Sequence, residues 1–238
     1  MAIYTYLLLN ILTISYPLYK SFDSRVDFYK KWKNLFIAIS ITGAVFLYWD
    51  YLFTDWGVWS FNEEYILGIH FFQLPIEEWL FFLTVPFACI FIHEVLKYFV
   101  KKDILQPYTK QITLFLIILF GVISTKNPDK LYTFVNFGLA TILLGVHWSL
   151  FDKQMIGRFY LTYLVTLIPF LIVNGILTYL PVVEYDNAEN LRFRIGTIPI
   201  EDMVYSMILL FMNLTIYEYL NRRDLAKSNQ VESTPTNT

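Results

Sequence analysis

Charge is what this chain has least of. Only 16% of its 238 residues are Asp, Glu, Lys or Arg, against about 25% in ordinary soluble domains. That scarcity argues against a globule exposed to water on all sides. The single cysteine, Cys89, excludes an intramolecular disulfide and any thiolate cluster. His70, His93 and His147 are scattered, with no two at ligand spacing on one helix, so no metal is expected. No Gly-rich phosphate-binding turn is present, so no dinucleotide cofactor is expected either. Asp50 and Asp55 do not form an Asp-rich cluster for Mg²⁺ and diphosphate. A net charge of −2 without a basic, aromatic stripe argues against nucleic acid as a partner.

What the chain has instead is apolar sequence in long runs. Apolar residues make up 56% of it, and mean hydropathy is +0.48. Runs of about 20 apolar residues are long enough to cross a bilayer. Seven can be drawn, over 3–19, 35–53, 74–98, 111–125, 131–150, 159–180 and 197–220. The first lacks a basic leader and a small-residue cleavage site, so we read it as a span and not as a signal peptide. The expected fold class is an all-α integral membrane protein of about seven transmembrane helices.

Basic residues set the expected orientation. With these spans, 14 of the 18 Lys and Arg fall on one side, among them Lys20, Lys31, Lys97, Lys101, Arg158 and Arg222. The other side holds Lys126, Lys130, Arg192 and Arg194. The reading is an inner-membrane protein with its N-terminus outside and its C-terminus in the cytoplasm.

The segment Pro75-Ile76-Glu77-Glu78 recurs as Pro199-Ile200-Glu201-Asp202, 124 residues later. At the same offset Asp50 meets Asn174, Phe61 meets Tyr185, and Glu94 meets Glu218. A period this long points to two fused bundles. We expect a first repeat over 1–110, a linker transmembrane helix over 111–127, a second repeat over 128–226 and a disordered polar tail over 227–238. Four crossings separate equivalent helices, so the repeats run parallel and their motifs share one depth, near the outer face.

Acids at the mouth of a membrane helix are costly, which makes Glu77, Glu78, Glu201 and Asp202 candidate catalytic residues. Their alternative role is to favour the positive end of a helix dipole. Trp59, Trp79, Phe81, Phe82 and Tyr205 are candidate wall residues, since aromatic faces tolerate a cation; the alternative is an interfacial aromatic belt. Asp50 and Asn174 are candidates to support the acids, and Arg194 to pair with Glu201 or Asp202. Glu94 and Glu218 lie about 25 Å further along their helices, where ion pairs with Lys97 and Arg222 are expected.

Taken together, the two Pro-Ile-Glu motifs, Trp59-Ser60-Phe61-Asn62, Asn174-Gly175-Ile176-Leu177-Thr178 and Gly196-Thr197-Ile198 resemble the membrane-integral lycopene cyclase family in its fused two-domain form. The resemblance implies redox-neutral closure of the linear ends of lycopene into β-ionone rings, giving γ-carotene and β-carotene, with no cofactor. It places acid and base work on Glu77, Glu78, Glu201 and Asp202 without saying which donates and which accepts. It names lycopene or a monocyclic carotene as substrate, membrane lipid as surroundings and other carotenoid-pathway enzymes as partners. The alternatives are a carotenoid-end hydratase, a membrane prenyltransferase and a small proton-coupled transporter.

Overall fold

A computed structural model describes residues 2–150 and 153–232. Seven long helices carry the described chain: α1 (Thr5–Lys20), α2 (Trp32–Asp55), α3 (Ile76–Phe99), α4 (Thr109–Lys126), α5 (Leu131–Leu150), α6 (Lys153–Tyr179) and α7 (Ile200–Glu232). Each supplies a stretch long and apolar enough to cross a membrane. Many large apolar side chains on their outer faces are exposed, among them Leu12, Phe115, Ile142 and Ile168. The helix α7 runs on to Glu232, so the expected polar tail begins helical; residues 233–238 lie outside the described residues.

The central packing is aromatic and aliphatic. Leu35, Phe46, Phe82, Phe87 and Ile90 are wholly or almost wholly buried where α2, α3 and α7 meet. Elsewhere α1 packs on α3, and α4 on α5.

Six short strands, absent from the sequence reading, cap one end of the bundle. Two form the link between the halves: β1 (Trp59–Phe61) pairs antiparallel with β4 (Val183–Tyr185), placing Trp59 opposite Tyr185 and Phe61 opposite Val183. The bonds flanking this ribbon are reciprocal. Asn62 N–H donates to Val182 O at 3.0 Å, and Asp186 N–H donates to Val58 O at 2.9 Å. Segments of two or three residues are too short for a period of two to show in sequence.

The remaining four strands form two hairpins that aim the motifs. Strands β2 (His70–Phe71) and β3 (Leu74–Pro75) turn through Phe72 and Gln73, at φ 49° and 61°. Positive φ at both central residues is the requirement of a type I′ turn. Strands β5 (Arg194–Ile195) and β6 (Ile198–Pro199) turn through Gly196 and Thr197, with Gly196 at φ 62°. In both hairpins the proline ends the second strand and the helix begins at the next residue. Pro75 is the N-cap of α3 with φ −63° and extended ψ, where its missing N–H leaves no intrahelical bond unmade.

Candidate functional site

Each motif splits its two acids between different tasks. Glu77 is fully buried, and its Oε1 accepts the backbone N–H of Leu67 at 2.8 Å. The amide of Asn10 on α1 donates to the Glu77 carbonyl at 3.0 Å. Glu201 repeats this arrangement: its Oε1 accepts Leu191 N–H at 2.8 Å and the Thr133 hydroxyl at 2.7 Å, while Asn136 on α5 donates to its carbonyl at 2.6 Å. These first acids tie the preceding loop and the opening helix of each half to the motif. In each of them Oε2 is buried without a hydrogen-bond partner.

The second acids face inward to a common chamber of about 60 Å³, which Glu78, Asp202 and Asp50 all line. The hydroxyl of Tyr6 on α1 donates to Glu78 Oε2. Tyr205 OH donates to Asp50 at 2.7 Å. Asp50 and Glu78 are thus two buried carboxyl groups lining one small chamber. Two carboxylates confined in so small a space repel each other, an arrangement suited to holding a proton on the pair.

Asp202 sits in a different setting. It accepts from Tyr132 OH at 2.7 Å, from Asn174 Nδ2 at 2.7 Å and from Tyr185 OH at 2.8 Å. Three donors satisfy a carboxylate without a proton of its own. Tyr185 lies on the strand cap; burial first, and then the charge of Asp202, push its phenol well above its ordinary range, so it stays a donor. The indole of Trp59 packs over this group, with centroids 5.2 Å from Tyr132, 6.1 Å from Tyr185 and 6.2 Å from Tyr205.

An apolar cavity of about 480 Å³ adjoins the chamber, bounded by α1, α3, α6 and α7. Phe81, Phe170, Asn174 and Tyr205 line both spaces and mark where they meet. The cavity walls come from residues such as Leu12, Val85, Cys89, Ile172 and Leu209. An extended apolar molecule with one end in the chamber is the ligand shape this suits.

Of the residues singled out in the sequence, Asp50, Trp59, Glu78, Phe81, Asn174, Asp202 and Tyr205 line the chamber. Glu77 and Glu201 do not; they hold backbone. Phe82 is 2% exposed and packs on Phe46 and Phe81. Trp79 leans on Phe71 and Phe72, and its indole N–H donates to Phe71 O at 3.3 Å. Arg194 donates to Thr197 O at 2.7 Å and to Asn187 Oδ1 at 2.9 Å, so these bonds engage loop atoms and neither motif acid.

Tyr6 and Tyr132 escaped the sequence reading, and Tyr185 entered it only as the repeat counterpart of Phe61, without a role at the site. A signal existed for the first two: Tyr6 with Asn10 and Tyr132 with Asn136 are the same Tyr-x-x-x-Asn pattern at the start of α1 and α5, at an offset of 126. The shift of two residues from the motif offset hides them from a gapless comparison.

At the opposite end of the bundle Lys97 bonds Glu94 at 3.1 Å and Glu218 at 2.8 Å, and Lys31 also bonds Glu94. The Lys97 pairs are the ones expected there, while the Lys31 pair was not foreseen in the sequence. His93 joins them through Glu218, 3.0 Å from its Nε2. His93, Glu94 and Glu218 lie close enough together to suggest a metal site, yet both carboxylates already meet lysine ammonium groups.

The family model described as lycopene cyclase matches residues 3–96 and 129–220, which together make up most of the chain. No curated protein and no solved structure gives a significant match. The two matched stretches each contain one Pro-Ile-Glu motif and leave α4 outside. The chain belongs to the lycopene cyclase family, and this membership supports cyclisation of a carotenoid.

Proposed function

We propose that this member of the lycopene cyclase family spans the inner membrane with its motif end outward and closes β-rings on the ends of lycopene. The observation that carries the reading is the meeting of Asp50, Glu78 and Asp202, from both halves, in one chamber beside a long apolar cavity. The β-ring itself is the finer part of the proposal; membership of the family supports carotenoid cyclisation in general.

The acid in this reading is the carboxyl pair Asp50 and Glu78, which delivers one proton. That proton adds to C2 of the linear end, using the electron pair of the C1=C2 bond and leaving a tertiary cation at C1. The C5=C6 electron pair then forms the C1–C6 bond and moves the cation to C5. Asp202 takes the proton from C6, and the released pair restores C5=C6 as the ring double bond. One proton enters and one leaves, so the reaction is an isomerisation. General acid and base groups placed in this way contribute about 10²- to 10⁴-fold each.

The walls complete the chemistry. Trp59, Phe81, Tyr132 and Tyr185 offer aromatic faces that stabilise a cation without capturing it. A small chamber that opens onto an apolar cavity keeps water from adding to the cation. Glu77 and Glu201 hold the loops over the chamber and take no part in proton transfer.

The experiment is expression in a lycopene-accumulating host, followed by reaction of isolated membranes in D₂O. Lycopene should give mono- and bicyclic carotenes with β-ends and one deuterium at C2 of each new ring. Unchanged lycopene, with the protein inserted in the membrane, would overturn the reading.

A further inference from the structure

The two halves repeat each other in their acids and hydrogen bonds but not in their openings. In matching positions, α1 corresponds to α5, α3 to α7 and α6 to α2. Three of the four helices around the apolar cavity, α1, α3 and α6, contain an interior proline, Pro17, Pro86 and Pro169, and all three prolines line that cavity. Their counterparts, Leu143, Leu210 and Val45, are ordinary helix residues. Interior proline removes a helix hydrogen bond and bends the helix, so this side of the bundle packs less closely.

Side-chain size adds to the difference. On α6, half-buried Phe170 and Val173 border the cavity. Their counterparts on α2 are Phe46 and Trp49, at 0% and 8% exposure. The Trp49 ring fills the matching space, with its centroid 4.9 Å from Tyr205 and 5.6 Å from Phe53, and Phe46 lies 5.0 Å from Tyr205. Thus α2 packs more extensively on α7 than α6 does on α3.

We infer that the chamber has a single working mouth, on the α1–α3–α6–α7 side, and that the protein therefore closes one ring per visit and releases a monocyclic carotene between the two. This rests on the cyclase reading above. A linear carotene is stiffened by conjugation and cannot reverse within a cavity of about 480 Å³. With the matching passage filled by Trp49, its second end reaches the acids only after withdrawal into lipid and return. Trp49 and Val173 are the residues that set this one-sidedness.

The test uses the full chain in liposomes. Labelled lycopene is supplied, and an excess of unlabelled monocyclic carotene is added during turnover. Labelled monocyclic carotene should rise before the bicyclic product, and the chase should dilute the label in the bicyclic product at least tenfold. Val173→Trp, which copies Trp49 into the open side, should slow both closures at least tenfold while keeping its detergent elution profile. Val45→Trp, on the exposed face of α2, should leave both rates unchanged. Bicyclic product that forms without a lag and keeps its label through the chase would overturn the inference, as would a folded Val173→Trp chain working at the wild-type rate. A wild-type chain that closes no ring in this assay would overturn the cyclase reading itself, and this inference with it.

Discussion

Asp50 and Asn174 are counterparts in the two halves and line one chamber, yet they face opposite needs. Asp50 shares the chamber with the carboxyl of Glu78 and accepts from Tyr205 OH at 2.7 Å, whereas Asn174 donates its amide to Asp202 at 2.7 Å. A carboxyl beside Glu78 brings a shareable proton, and an amide beside Asp202 brings a donor but no charge. One exchange of acid for amide thus makes two similar motifs chemically unlike. It supports the division proposed here, with the Asp50–Glu78 pair as acid and Asp202 as base.

Glu78→Gln, Asp50→Asn and Asp202→Asn should each insert normally and lose about 10²- to 10⁴-fold in cyclisation rate. The measurement is the initial rate of ring formation in membranes matched for protein amount. Wild-type rate in Asp202→Asn would remove it as the base. Wild-type rate in both Glu78→Gln and Asp50→Asn would remove the pair as the acid.

Glu77→Gln and Glu201→Gln should behave differently. Each keeps the acceptor oxygen for Leu67 or Leu191 N–H, so the folded protein should keep its cyclisation rate. Glu77→Ala and Glu201→Ala leave buried donors unpaired, at a cost of about 1–3 kcal/mol for each. They should lower Tm and protein yield, with the rate of the surviving folded fraction largely intact. A rate loss in Glu77→Gln as deep as that of Glu78→Gln would place Glu77 in the chemistry after all.

Tyr132→Phe and Tyr185→Phe each remove one donor from Asp202. Hydrogen bonds to a charged group are worth about 1.5–3 kcal/mol, so each variant should cyclise roughly ten- to a hundredfold more slowly. Tyr160→Phe, whose hydroxyl bonds only Thr113 among the contacts described, at 2.7 Å, serves as the comparison and should stay near wild type. Equal effects in all three variants would point to general loosening of the bundle.

The proposed orientation puts both motifs outside and the end of α7 in the cytoplasm. A reporter active only in the cytoplasm should work when fused after Lys227 and fail when inserted into the 56–73 loop. The reverse result would turn the protein over in the membrane and place the chamber on the cytoplasmic side.

Much of this was written in the sequence. Low charge and seven apolar runs determined the number of helices, because a chain must satisfy its backbone internally to cross hydrocarbon. The duplicated motif located four acids, Glu77, Glu78, Glu201 and Asp202, since a buried carboxyl is too costly to recur without a use. Tertiary structure alone decided how the acids divide their work. Adjacent residues at a helix start point about 100° apart, so only packing shows that Glu77 and Glu201 turn to the loops while Glu78 and Asp202 turn to the chamber. It also brought in Tyr6, Tyr132 and Tyr185 from segments far away in the chain, and opened one side of the bundle while closing the other. Those choices depend on which faces meet after folding, and a linear order of residues does not carry distances between distant segments.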